Sequence, residues 1–469
     1  MSRFIQMSSA FALALLSVPA IAAASDAELA EVQAQIQQLK QSYEARIEAL
    51  DRRLQEAEAR SAKASAAVPA ASPAALPVAA APAVTPAAVS AGNSAFNPAI
   101  SAVLQGAYIN QSKDPDKYAI AGFVPSGDIG PGKRGFSIAE SELGFSANVD
   151  HKFFGNLILA LTPDNNVEVE EAYGVFTALP GGVTPKFGRF LSSVGYLNDQ
   201  HQHAWDFYDA PLVYQAFFGG QFRNDGLQVR WLAPTDTYLQ FGAEIGDGSS
   251  FPGSERSNGR NGIGGGALHA HVGGDINVSN SWRAGLSWLT LRPNERTHTE
   301  IDRNGNPAQL EFSGRSQVAI ADFVWKYAPK GNARETNLKL QGEYFWCKER
   351  GDLRYDSDGA LGLTNTAKNT SRQSGFYVQG VYQFMPEWRV GARYDSLDPG
   401  RVDYGGNADY LSASSFNPRR YSLMFDYTPS EFSRFRIQYQ QSRLQPDFTD
   451  NILFVQYILT LGAHGAHSY

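Results

Sequence analysis

From about Phe96 to its end, the chain alternates apolar and polar residues with a period of two. In the closing segment Leu453, Val455, Tyr457, Leu459 and Leu461 share one face, opposite Phe454, Gln456, Ile458, Thr460 and Gly462. Leu143, Phe145, Ala147 and Val149 alternate with Glu142, Gly144, Ser146 and Asn148 in the same way. So do Trp282, Ala284, Leu286 and Trp288 with Arg283, Gly285 and Ser287, and Tyr421, Leu423, Phe425 and Tyr427 with Ser422, Met424 and Asp426. This period predicts strands with one face in an apolar medium and the other in a polar one. Counted from Ala102 to the C-terminus, sixteen strands are expected.

The connections alternate in length. Short turns stand at Pro180-Gly181-Gly182, Pro234-Thr235-Asp236, Val278-Ser279-Asn280, Met385-Pro386-Glu387 and Thr428-Pro429-Ser430. Between them lie polar stretches read as loops: 111–135, 191–224, 246–265, 292–314, 348–374 and 396–419. Short turns at one end and long loops at the other are the layout of a transmembrane β-barrel. A soluble sandwich is excluded because a row of inward Arg, Glu and Asp cannot form a dry core. The expected interior is therefore water-filled.

The first ninety-five residues read differently. Arg3, the apolar stretch Ala10 to Val18 and the small residues Ala20 to Ala24 make residues 1–24 a secretory signal peptide. Within 25–60, Leu29, Val32, Ile36, Leu39, Tyr43, Ile47, Leu50 and Leu54 recur every three or four residues, the seam of a short coiled coil. An amphipathic helix on another surface is the alternative. Residues 61–95 are an Ala/Pro-rich linker, with Pro69, Pro73, Pro77, Pro82 and Pro86 keeping it extended. The barrel then occupies 96–469.

Composition narrows the function classes. No apolar run past the leader is long enough for a membrane helix. The single cysteine, Cys347, rules out an intramolecular disulfide framework. A net charge of −7 argues against a nucleic-acid partner. No spacing of Ser192, Ser193, His203 and Asp206 specifies a catalytic triad, so no enzyme is expected, and no catalytic residue or cofactor is implied.

With this layout the chain resembles the sixteen-stranded trimeric porins, particularly the phosphate-selective porin O/P family. The resemblance rests on Val169-Glu170-Glu171-Ala172-Tyr173, on Lys186-Phe187-Gly188-Arg189-Phe190 and on the closing strand. Gly195-Tyr196-Leu197-Asn198 and Leu461 to His467 are also similar to barrels labelled zinc-regulated outer-membrane proteins. It implies an all-β, 16-stranded antiparallel barrel in the outer membrane of a Gram-negative bacterium, preceded by a periplasmic coiled-coil helix. The implied partners are two further copies in a homotrimer, outer-membrane lipid and the barrel assembly machinery that reads a terminal aromatic strand. The implied activity is passive diffusion of small polar or charged solutes. Tethering to peptidoglycan, through the coiled coil and spacer, is an accessory alternative. There is no room for the plug domain and twenty-two strands of a TonB-dependent receptor.

The resemblance also implies that the third long loop, 191–224, folds inward and narrows the pore. That loop carries Asp199, His201, His203, Asp206 and Asp209 against Arg223 alone, a departure from the cationic constriction of phosphate-selective relatives. On the wall, strand parity turns Arg230, Arg283, Lys339, Arg389, Arg393, Arg434 and Arg436 inward, along with Glu140, Glu142, Glu244, Asp322, Glu343, Asp395 and Asp426. Opposed walls of this kind set up a transverse field; simple pairing of the charges is the alternative. Six of the eight histidines fall in pairs. His201 and His203 could meet His269 and His271, with Asp199 or Asp206, around a zinc ion, making a metal-uptake channel the competing reading. His464 and His467 lie at the other end of the barrel.

Overall fold

A computed structural model of the protein describes residues 98–124, 126, 129–257 and 262–462. The expected signal peptide, coiled coil and linker lie outside the described residues, as do His464, His467 and the terminal Tyr469. Eighteen strands run in chain order: β1 (Ala99–Gln111), β2 (Gly135–Ser137), β3 (Ser141–Asn148), β4 (Phe153–Leu161), β5 (Val167–Phe176), β6 (Val183–Leu191), β7 (Arg223–Leu232), β8 (Tyr238–Gly246) and β9 (Gly265–Asn277), then β10 (Asn280–Leu291), β11 (Arg296–Ile301), β12 (Pro307–Tyr327), β13 (Asn337–Tyr355), β14 (Asn365–Met385), β15 (Trp388–Asp403), β16 (Arg419–Ser430), β17 (Ser433–Gln445) and β18 (Phe448–Gly462). Among the described residues one α-helix, α1 (Leu212–Phe218), lies between β6 and β7, after a single 3-10 turn at Gln202–Ala204.

Neighbouring strands pair antiparallel, and β1 closes the ring by pairing with β18, from Ser101↔Gly462 to Gln111↔Ile452. On its other edge β1 meets β3, from Ala99↔Ser146 to Val103↔Glu142. The short β2 only extends the β1 edge, and β11 only folds back on β12, since β10 pairs with β12 directly. The closed wall therefore has sixteen strands, as the alternation predicts. Among the described residues no helix is long and apolar enough to cross a membrane.

Burial follows the parity. On β16, Tyr421 and Leu423 are 51% and 60% exposed while Ser422 and Met424 are 2% and 3%. The apolar set thus points outward and the polar set inward.

Two expectations need correction. The stretches read as loops at 292–314 and 348–374 are largely strand, and the first third of 396–419 is too: Arg296–Ile301 pairs with Pro307–Phe312 as a hairpin, and β12, β13, β14 and β15 run 21, 19, 21 and 16 residues. At about 3.3 Å per residue, twenty-one residues span about 70 Å, far beyond a hydrocarbon core of about 30 Å. Past the apolar zone the outward residues turn polar, as Gln309, Glu311 and Arg350 are, while Leu310, Phe312 and Leu353 stay buried on the other face and the hydrogen-bonded ladder continues. The second correction concerns the interior, which is not water-filled throughout. It contains a hydrophobic core built from α1 and the inner faces of β10, β12, β13 and β14.

Candidate functional site

The β6–β7 connection, residues 192–222, lies inside the ring of strands. Asn198 staples its two limbs: its amide nitrogen donates to the carbonyls of Ser192 (2.7 Å) and Phe222 (2.8 Å), and its oxygen accepts from the Phe222 amide (2.8 Å). All seven residues of α1 are buried. Tyr214, Phe217 and Phe218 pack on Phe345 of β13, with ring centroids 5.1, 6.0 and 5.5 Å away. Val318, Ile320, Tyr377 and Leu397 complete the core. The chain leaves α1 through Gly219 in the left-handed region (φ 67°), a conformation that costs glycine nothing.

Strand register supplies the height that parity cannot. One row runs His269–Ser287–Ile320–Phe345–Gly375–Leu397, mostly apolar under α1. The next inward row runs His271–Gly285–Asp322–Glu343–Tyr377–Asp395–Arg420 and is mostly polar. Glu343 joins the two layers. Its carboxylate accepts from the amides of Tyr196 (3.0 Å) and Leu197 (3.1 Å) and from the hydroxyls of Tyr214 (2.9 Å) and Tyr377 (2.7 Å).

The loop carboxylates meet the basic side of the wall. Asp206 pairs with Lys339 and, at 3.4 Å, with Arg389. Asp209 takes Arg393 at 2.8 Å, Arg420 at 2.6 Å and the Gln438 amide at 2.8 Å. Burial pushes both carboxyls up, but Lys339 and Arg389 at Asp206, and Arg393 and Arg420 at Asp209, outweigh it and hold them below the ordinary value. Arg436 adds a bond to the Trp205 carbonyl (2.9 Å) and one to Asp426 (2.9 Å); Arg434 reaches the carbonyls of His203 and Trp205. Asp199 is exposed and makes no ion pair among the described residues. The wall cations are thus mostly neutralised by loop and wall carboxylates.

The loop histidines meet the acidic side. His203 Nδ1 lies 2.6 Å from Glu142 of β3. His201 Nδ1 lies 3.2 Å from Glu170 and 3.6 Å from Glu142, and its Nε2 lies 3.1 Å from Glu171. Adjacent glutamates on a regular strand face opposite ways. Here the register of β4 and β5 jumps from Ile158↔Glu171 to Leu159↔Val169, so Glu170 is the extra residue of a β-bulge. Both glutamates are consequently buried. Burial lowers the His201 pKa, but Glu170 and the hydrogen bonds to Glu170 and Glu171 overcome it and leave it well above the usual imidazole value. For His203, burial and the charge on His201 drive it down to about 3. Glu140, between β2 and β3, is pushed up to about 8 by burial and by Glu170 and Glu142.

The third cluster lies on β7–β12. Gly242 and Gly285 open space there: a Cβ at Gly242 would fall on the His269 ring, and one at Gly285 on Asp322 and His271. Several buried atoms have no hydrogen-bond partner among the described residues: both ring nitrogens of His269, Nε2 of His271, both carboxylate oxygens of Asp322, Nε of Arg230 and Arg283, and Oε2 of Glu244. Glu244 does accept from the Ser193 amide at 3.0 Å, and Gly195 donates to Ser287 at 3.0 Å.

The structure does not gather the four paired histidines into one ligand set. Among the described residues, the donors that come within 4.8 Å of one another belong to Glu142, Glu170 and His201. His269 is instead 3.9 Å from Glu244, and Asp206 is committed to Lys339 and Arg389. Arg420, Gln438, Tyr377 and the Glu170–Glu171 pair are site residues that sequence reasoning missed. Arg420 shares parity with Ser422 and Asp426, and two successive acids in a strand were the available sign of a bulge.

No family model matches the chain. An uncharacterized protein of Aquifex aeolicus (strain VF5) is 31% identical over 365 residues, covering 72% of this chain and 71% of its own. Solved structures with similar folds include in-vitro folded OmpT, an outer membrane protein of Vibrio cholerae (10% identity, TM-score 0.48, 79% of this chain and 99% of that one). The anion-selective porin from Comamonas acidovorans (10%, 0.47, 78% and 99%) and the outer membrane channel DcaP of Acinetobacter baumannii (13%, 0.44, 78% and 97%) are two others.

Proposed function

The chain belongs to one family with the uncharacterized protein of Aquifex aeolicus, and we propose that it is an outer-membrane porin for small polar or charged solutes. One observation carries this reading: a closed wall of sixteen strands with apolar side chains outside and ionic ones inside. Such an exterior is satisfied by lipid, and closure leaves no unpaired edge within it. The long connections would face the outside and the short turns the periplasm. A trimer and an N-terminal periplasmic coiled coil complete the proposal.

The β6–β7 loop would act as the constriction. Its seat fills the inner faces of β10 to β14 with an apolar core, and Asp206 and Asp209 neutralise the cations of β13, β15 and β16. We place the passage on the β7–β12 side, where Arg230, Glu244, His269, His271, Arg283 and Asp322 each hold at least one polar atom without a hydrogen-bond partner among the described residues. Buried polar groups of this kind demand water or solute. A pathway with both signs of charge suits polar solutes in general and does not favour phosphate.

Planar-bilayer conductance under a KCl gradient tests the reading. Stepwise openings are expected, with Arg283→Glu moving the reversal potential toward cations. A folded barrel that never conducts would overturn the porin assignment. A conducting barrel whose selectivity ignores Arg283→Glu would overturn the route.

A further inference from the structure

The Glu142, Glu170 and His201 constellation has the shape of a metal site rather than of an ordinary ion-pair cluster. Three features separate the two. First, the imidazole is asymmetrically used: Nδ1 faces two carboxylate oxygens, from Glu170 at 3.2 Å and Glu142 at 3.6 Å, whereas Nε2 faces Glu171 alone at 3.1 Å. One proton on Nδ1 cannot bond both oxygens well, but a cation in its place can. Second, an Nε2–H donating to Glu171 is the outer carboxylate that metal-bound histidines commonly carry, fixing the tautomer and leaving Nδ1 free to ligate. Third, the ligands come from three separate elements. Glu142 is on β3, Glu170 reaches the interior only through the β5 bulge, and His201 is on the loop. The bulge gives up one ladder position to deliver that carboxylate.

We propose that Oε of Glu142, Oε of Glu170 and Nδ1 of His201 bind one divalent transition cation of the zinc class, with Glu171 orienting the ring, so that the ion ties the β6–β7 loop to the β3–β5 wall. The donor atoms already lie within 4.8 Å of one another. Bonds of about 2.0–2.2 Å to a common ion require only small side-chain rotations. On binding, the ion takes the position of the Nδ1 proton, which leaves to solvent. One imidazole with carboxylates selects zinc-like ions over calcium and magnesium, which prefer oxygen-only shells. This set differs from the four-histidine set expected from the sequence, because His269 and His271 lie at another part of the wall.

The test is calorimetric titration of chelator-stripped, full-length protein in detergent with Zn2+, repeated with Ca2+ and Mg2+. One Zn2+ per chain is expected, weakened at least about 10-fold by Glu171→Gln and more by Glu170→Gln, and unaffected by His271→Ala. Absence of saturable binding would overturn the site, leaving His201 as a protonated bridge between glutamates. Binding that survives Glu170→Gln, or that vanishes in His271→Ala, would also overturn it. Should a variant fail to fold, X-ray absorption on the Zn2+-loaded wild-type protein decides: one imidazole with oxygen ligands is expected, and two or more imidazoles would refute the set. Binding is read without conductance, so failure of this inference and failure of the porin reading are separate results.

Discussion

Replacing Asp209 by Asn should unseat the β6–β7 loop while leaving the wall intact. The substitution keeps the size of the side chain and removes its charge from between Arg393 (2.8 Å) and Arg420 (2.6 Å), both buried. Removing one partner of a buried ion pair costs about 3–5 kcal/mol. The lower end applies, because Arg393 retains Asp395 at 3.0 Å, and Arg420 retains the Tyr118 hydroxyl at 2.6 Å. About 3 kcal/mol raises the ratio of released to seated loop roughly 150-fold. In planar bilayers this predicts larger and noisier unitary conductance, with unchanged heat-modifiable migration of the barrel. The pH dependence follows from the direction of the shift. The Asp209 carboxyl is held below its ordinary value, so its contribution is complete above the unfolded value of about 4 and fades only as pH falls through the lower, folded one. The difference between wild type and Asp209→Asn should therefore hold steady from pH 7 to about 4 and shrink below. Conductance traces indistinguishable from wild type at pH 7 would refute the argument that this carboxylate anchors the loop.

Asp206→Asn should strip the counter-charge from Lys339 and weaken that of Arg389, which keeps Asp426; with the passage on the β7–β12 side the reversal potential should stay at its wild-type value, and a shift toward anions would place these cations on the conducting path. Phe217→Ala should open a cavity against Phe345 worth about 3–5 kcal/mol, read as protease access to the loop at a lower temperature than in wild type. Gly242→Leu should drive a side chain into the His269 ring at a cost of about 1–3 kcal/mol, seen as lower heat resistance of the folded barrel in detergent.

Strand number and facing were legible because an apolar exterior forces a period of two on every strand that touches it, as the Tyr421–Tyr427 segment shows. Strand length was not, because β12 to β15 continue past the apolar zone, where the outward residues are polar and the stretch reads as loop although Leu310, Phe312 and Leu353 remain buried on the other face. Within the candidate site, the residue types of the loop were visible, but their partners were not. Parity places Arg393 and Asp395 on one face of β15, yet only register shows Asp395 level with Glu343 and Arg420. Leu212–Phe218, apolar except for Gln215, reads as easily as a strand, and only its burial against Phe345 decides for a helix. Glu170 escaped because a single inserted residue reverses parity locally without leaving any hydrophobic trace.

The bonds that seat the β6–β7 loop join residues far apart in the chain: the Tyr208 amide to Gln438, the Leu212 amide to Asp395, and Arg420 to Asp209. The loop is made early, between the sixth and seventh strands, but about two hundred residues must follow before β16 and β17 supply its partners Arg420 and Gln438. Pairing over such separations comes late, after the loop-closure entropy has been met. Assembly must therefore pass through a stage in which most of the wall exists and α1 is already seated on β13 to β15, while Asp209 lacks Arg420 and the Tyr208 amide lacks Gln438. A chain stalled at that stage, or cut short before β16, would be a wide, unclosed sheet with a buried loop carboxylate short of its counter-charge. The cell's tolerance of this protein then depends on how quickly its last three strands arrive.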